Sequence, residues 1–104
     1  MAFSLEGHVA IVTGNSSGLG KEIGMALGQA GAKVPVNFCY NEERAQNALE
    51  EYQAAGIDTC LIQASAITAD GIDKLFSETE RQLGNPDILV PNATCDQPHK
   101  PIDE

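Results

Sequence analysis

The segment Thr13-Gly14-Asn15-Ser16-Ser17-Gly18-Leu19-Gly20 sets three glycines among small hydroxyl side chains directly after an apolar run. That combination suits the binding of an anion. Glycines at 14, 18 and 20 remove Cβ atoms where a backbone bends and where something must come close. Once a helix begins beyond them, the N–H groups of its first turn lack intrahelical partners and carry the positive end of the helix dipole behind them. A strand-to-helix turn of this kind is how dinucleotide folds hold a pyrophosphate. Ser16 and Ser17 could offer hydroxyls to a phosphate or to an adenosine ribose, and helix capping is the plainer use of the same side chains.

Other chemistry is poorly represented. Cys39, Cys60 and Cys95 lie far apart, with neither a C-x-x-C pair nor metal-ligand spacing to His8 or His99, so no metal site is expected. The chain of 104 residues has a formal net charge of −9 with only 6 Lys+Arg, which makes nucleic acid and anionic membranes poor partners. Pairs such as Glu42-Glu43 and Glu50-Glu51 read as solvated helix faces. No basic and apolar leader and no membrane-length apolar run is present, and three free thiols in such a chain point to a reducing cytoplasm.

The loop must be held by the elements around it. Residues 9–12 are short, β-branched and apolar, as in a strand buried on both faces. Beyond Gly20 the apolar positions Leu19, Ile23, Ala26, Leu27 and Ala30 recur at intervals of three and four, predicting a helix whose inner stripe they form and which Gly31 ends. Residues 33–38 read as a second strand, although Pro35 would delete a ladder donor there. Asn41 caps a helix over 42–55 with Ala45, Ala48, Leu49 and Tyr52 inward, and Gly56 stops it. A third strand covers 58–64. A third helix covers 70–83 with Ile72, Leu75, Phe76 and Thr79 inward, closed by Gly84-Asn85-Pro86, and 87–90 form a fourth strand. The expectation is therefore a partial Rossmann-type α/β fold: a doubly wound parallel sheet of four strands in the order 3-2-1-4 with three helices, over residues 1–93, followed by an irregular tail at 94–104. In that order the crevice opens between the first and fourth strands, so the glycine loop and the Asn92-Ala93 turn face each other across it.

The spacing Thr-Gly, three residues, Gly, one residue, Gly resembles the cofactor loop of the short-chain dehydrogenase/reductase family, T-G-x-x-x-G-x-G. Gly31-Ala32-Lys33-Val34 resembles the lead-in to that family's second strand, and Asp87-Ile88-Leu89-Val90-Pro91-Asn92-Ala93 its fourth, D-I-L-V-N-N-A-G. A flavodoxin-like domain, with Thr13 to Ser16 cupping a flavin phosphate, is the rival, but too few strands remain for it. The resemblance implies NAD or NADP as cofactor, with Gly14, Gly18 and Leu19 supplying pyrophosphate-binding backbone, Ser16 and Ser17 beside them, Ser65 and Ala66 at the adenine, and Asn92, Ala93 and Thr94 under the cofactor. Phe38 stands where NAD-preferring members carry an aspartate. The basic residues of NADP-preferring members are also missing, since Ser17, Cys39 and Tyr40 occupy those places, so the choice between cofactors stays open. Pro91 and Thr94 replace an asparagine and a glycine of the family pattern.

In that family a serine, a tyrosine and a lysine four residues after it carry the chemistry, all beyond the fourth strand. None can be assigned here: Tyr40 is followed four residues on by Arg44, and Tyr52 by Gly56. No catalytic residue is therefore named. The sequence is similar to the first two-fifths of such an enzyme, which leaves three readings: a truncated oxidoreductase retaining its adenosine and pyrophosphate site, a nucleotide-responsive or interaction module, or one part of a split enzyme. An open edge along 87–90 would favour self-association or pairing with a full-length relative.

Overall fold

A computed structural model describes residues 4–92. Strands β1 (Ala10–Val12), β2 (Val36–Phe38), β3 (Leu61–Gln63) and β4 (Ile88–Val90) alternate with helices α1 (Gly18–Gln29), α2 (Glu42–Ala54) and α3 (Ala69–Gln82). All strand pairing is parallel, β1 with β4 and β2 with β3.

The two pairs are not one continuous ladder. They meet through a single parallel bridge, Val9 to Lys33, with Lys33 N donating to His8 O and Ala10 N to Lys33 O. The expected order 3-2-1-4 therefore appears only as the pairs 2-3 and 1-4. Pro35 supplies the physical reason. Val34 N and Val36 N donate toward the β3 side, to Asp58 O and Cys60 O. By strand alternation the donor of residue 35 would face β1, and proline has none.

Two apolar clusters lie on opposite faces. One joins Ala10, Val34, Val36 and Phe38 to Ala45, Ala48 and Tyr52 of α2, and the other joins Ile11 and Ile62 to Leu75 of α3. Helix ends follow local chemistry. Asn41 accepts from Arg44 N at 3.0 Å and Thr68 from Gly71 N at 3.0 Å, while Gly31, Gly56 and Gly84 follow their helices with φ of 115°, 80° and 120°.

The inner stripe expected for α1 is corrected. Gly20, Gly24 and Gly28 are its buried residues, whereas Ala26 is exposed and Leu19 is 66% exposed. A glycine seam allows the helix to lie close to what it packs on, and a Cβ at Gly28 would come within 2.5 Å of Ile57 Cδ1. Cys60 is the free cysteine among the described residues.

Candidate functional site

The turn between β1 and α1 holds Gly14 at φ 66° and Gly18 at φ 61°, the left-handed region in which a Cβ is penalised. A Cβ added at Gly18 would meet nothing within 4 Å, so the space over that backbone is open. Gly20 is different. Its Cβ would lie 2.6 Å from Asn92 Nδ2 and 2.6 Å from Gly14 O, which is how the helix start closes on the loop. Ser17 occupies the N-cap position with extended backbone and makes no side-chain cap bond, and the first turn carries no acidic residue. The positive end of α1 is thus left without a side-chain anion.

The C-terminal ends of all four strands are tied to this turn. Thr13 N donates to Val90 O at 3.2 Å, Asn92 N to Thr13 Oγ1 at 2.7 Å, and Asn92 Nδ2 reaches Gly14 O at 3.5 Å. Asn37 on β2 accepts from Gly14 N at 3.0 Å and donates through Nδ2 to Ala64 O, just past β3, at 3.1 Å. Asn15 is fully buried, its amide donating to Pro35 O and accepting from Asn37 N, both at 2.8 Å. Burial of these amides is tolerable because each is hydrogen-bonded. Tyr52, also fully buried, places its hydroxyl 3.3 Å from Asn15 O and 3.3 Å from Lys21 O. Burial pushes the Tyr52 hydroxyl well above the ordinary tyrosine range, so it acts there as a neutral donor. Lys21 Nζ is held by Glu51 at 2.7 Å.

The residues singled out in the sequence fall into four groups. Gly14, Gly18, Leu19 and Asn92 gather at the turn, with Ser16 buried behind it and Ser17 half-buried at its rim. Ser65 and Ala66 follow β3 at the same sheet edge, Ser65 Oγ accepting from Ile67 N at 3.2 Å. Phe38 ends β2 with its side chain 4% exposed in the core against α2, so only its backbone reaches the edge. Ala93 and Thr94 lie outside the described residues, as does the 94–104 tail. Tyr52 was expected on the inner face of α2, but its reach to the loop, and the parts played by Asn15 and Asn37, were not anticipated. An asparagine between Val36 and Phe38, in an otherwise apolar strand, is the signal that could have pointed to them.

Away from the turn, Cys60 is pushed up to about 11, by burial first and then by the Glu78 charge. At the opposite sheet edge His8 Nδ1 lies 2.6 Å from Asp87 Oδ2. Among the described residues no helix is long and apolar enough to cross a membrane, and no group of three His, Cys, Asp or Glu side chains could hold a metal ion.

The family model for short chain dehydrogenases matches residues 8–104. The chain belongs to the short-chain dehydrogenase family. Versicolorin reductase 1 of Aspergillus parasiticus is 43% identical over 89 residues, 86% of this chain and 34% of that protein. A 3-oxoacyl-(acyl-carrier-protein) reductase of Staphylococcus aureus is 39% identical over 84 residues, 81% of this chain and 34% of that one. Among solved structures, a dehydrogenase/reductase from Sinorhizobium meliloti 1021 superposes with TM-score 0.79 at 38% identity, covering 85% of this chain and 35% of its own. L-sorbose reductase from Gluconobacter frateurii, solved with NADPH and L-sorbose, gives TM-score 0.82 at 25% identity, covering 100% of this chain and 40% of its own. The short-chain dehydrogenase fold is therefore present as an α/β Rossmann-like unit, and the chain spans about a third of the length of the curated relatives it matches.

Proposed function

We propose that residues 1–93 are a partial nucleotide-binding domain that holds the adenosine and pyrophosphate half of NAD or NADP, in the manner of a short-chain oxidoreductase, without turning substrate over unaided. The observation that carries this reading is the turn itself: Gly14 and Gly18 at left-handed φ, open space above Gly18, and a helix start with no side-chain cap. A phosphate would fit that cradle, neutralising the dipole end that the protein leaves free. Backbone at Gly18 and Leu19 takes the pyrophosphate, with Ser16 and Ser17 beside it, while Gly14, whose N–H is given to Asn37 Oδ1, bends the chain beneath it. Ser65 and Ala66 take the adenine, Phe38 ends the strand beside the ribose, and Asn92, Ala93 and Thr94 run beneath the cofactor. Exposed Leu19, Tyr40 and Ile67, at 66%, 57% and 60%, all follow a strand at the same sheet edge, where an adenosine could cover them. The NADPH in the L-sorbose reductase structure supports the cofactor class.

The full order 3-2-1-4 belongs to this proposal. Its support is the Val9–Lys33 bridge together with Asn37, whose amide spans from Gly14 after β1 to Ala64 after β3. The cofactor, when bound, supplies hydride chemistry. The residues named here bind and orient it, and they stabilise ground and transition states alike, which raises occupancy and leaves the chemical step unchanged. A positioned general acid, worth roughly 10² to 10⁴ in rate, is not assigned to any residue of this chain.

Thermal melting tests the reading. A ligand specific for the folded state at about 100 times its Kd adds about 2.7 kcal/mol, so ADP-ribose should raise the melting temperature by roughly 10 °C. Absorbance assays with NADH or NADPH on sugars and ketones, and with NAD⁺ or NADP⁺ on sugars and alcohols, should show no saturable turnover. No shift with ADP-ribose, or turnover abolished by Gly14→Asp, would contradict it. A second reading, association through the β4 edge, is favoured by Leu89 being 52% exposed on a strand paired only with β1 among the described residues. Sedimentation of the wild-type chain against Leu89→Lys tests that, with concentration-dependent self-association expected only for the former.

A further inference from the structure

The hydroxyl of Tyr52 crosses from α2 to the loop through a gap in α1. At Gly24 an added Cβ would collide with that hydroxyl, and would stand 3.1 Å from Tyr52 Cζ and 3.2 Å from Asn15 Nδ2. The gap admits the tyrosine to a place where its one hydroxyl proton is shared between the carbonyls of Asn15 and Lys21, each 3.3 Å from its oxygen. On the other side, the Asn15 side-chain amide lies along β2 as a neighbouring peptide would, giving a proton to Pro35 O and taking one from Asn37 N. It stands where Pro35 interrupts the ladder to β1. Residue 15 is thus clamped twice, by its side chain to β2 and by its carbonyl to α2.

A trans peptide points its C=O and N–H in opposite directions. With the carbonyl of Gly14 drawn to Asn92 and that of Asn15 drawn to Tyr52, the N–H groups of Asn15 and Ser16 are turned the other way. We propose that Tyr52, acting through Asn15, is a positioning residue that sets the phosphate-binding conformation of the 13–20 loop, and that Gly24 is the opening that lets it do so. This rests on the nucleotide reading above for its ligand. Without the hydroxyl, the buried Asn15 carbonyl must find another donor, and the peptide that turns to seek one carries the Ser16 N–H with it. Ligand would then have to restore the loop as it binds.

Tyr52→Phe, Gly24→Ala and the double variant test this, with ADP-ribose titrated calorimetrically well below each melting temperature and amide exchange followed at residues 14–17 without ligand. The Tyr52→Phe affinity should fall by roughly 5- to 150-fold, the range for a buried group left without its hydrogen bond, and exchange at 14–17 should quicken more than exchange in α2. Gly24→Ala displaces the hydroxyl and should reproduce both effects. The double variant should lose no more affinity than Tyr52→Phe alone, because both remove one bond. A role in packing alone would lower the melting temperature and leave affinity unchanged. Affinity within twofold of wild type and unaltered loop exchange in Tyr52→Phe would overturn the proposal. If that variant does not fold, the same result in Gly24→Ala would overturn it. A wild-type chain that fails to bind ADP-ribose while Tyr52→Phe still loosens residues 14–17 would strike down the nucleotide reading and uphold the control of the loop.

Discussion

Replacing Gly18 by alanine separates what the loop contributes to folding from what it contributes to binding. The added Cβ meets no protein atom within 4 Å, so no overpacking arises. The cost to folding is confined to holding alanine at φ 61°, about 1–2 kcal/mol. A phosphate seated on that backbone would meet the new methyl directly. Hydrogen bonds to a charged group are worth about 1.5–3 kcal/mol each, so displacing one of them weakens binding by roughly 10- to 150-fold. Urea unfolding gives the first quantity and calorimetric titration with ADP-ribose at a temperature where both proteins are folded gives the second. Gly20→Ala is the companion: its Cβ would press on Asn92 Nδ2 and on the backbone oxygen of Gly14. Overpacking of about 1–3 kcal/mol there is partly offset by about 1 kcal/mol of helix preference, and stability falls by up to about 2 kcal/mol. Gly18→Ala binding ADP-ribose as tightly as wild type would refute the close approach of phosphate to this backbone.

Two further outcomes test the frame around the site. Asp87 accepts from Val9 N at 2.9 Å and faces His8, contacts that hold its carboxyl below the usual range. A depressed folded-state pKa contributes stability that is present above the unfolded value of ~3.9 and lost as pH falls through the folded one. The stability difference between wild type and Asp87→Asn should therefore be full at pH 6 and shrink toward pH 2, as read by urea unfolding across that range. A difference that does not change with pH would contradict a carboxylate held ionised by the Val9 N–H and His8 contacts. Pro35→Val restores a donor facing β1. A hydrogen bond worth about 0.5–1.5 kcal/mol, against about 0.4–1 kcal/mol of unfolded-chain entropy that proline removes, leaves a gain of up to about 1 kcal/mol. The direct sign would be a protected amide at residue 35, and exchange there at a loop rate would show that Pro35 is not what divides the sheet.

What the sequence discloses here is mainly local. Asn41 caps α2 because its side chain reaches Arg44 N three residues away, and Gly31, Gly56 and Gly84 end helices because the chain turns left-handed at those points. The loop glycines were legible for the same reason, and the loop and fourth-strand motifs together indicated the family. Periodicity misled on α1. It counts apolar side chains, whereas the buried seam is Gly20, Gly24 and Gly28, whose value is the absence of a side chain where the loop, Tyr52 of α2 and Ile57 come close. The interruption at Pro35 was noted in the sequence, but its effect on strand pairing depends on which neighbour each amide faces. The clamp on Asn15 joins residues 15, 35, 37 and 52, contacts across elements that no local pattern encodes.

The function proposed for this chain is to hold one half of a dinucleotide. The measurement that bears on it most directly is calorimetric titration of the chain with ADP-ribose and, separately, with nicotinamide mononucleotide. The contacts proposed for adenosine and pyrophosphate lie between Gly14 and Ala66, so ADP-ribose should bind with one-to-one stoichiometry, lose that binding in Gly18→Asp, and exceed the mononucleotide in affinity by at least tenfold. Equal affinity for the two halves, or ADP-ribose binding that survives Gly18→Asp, would contradict it.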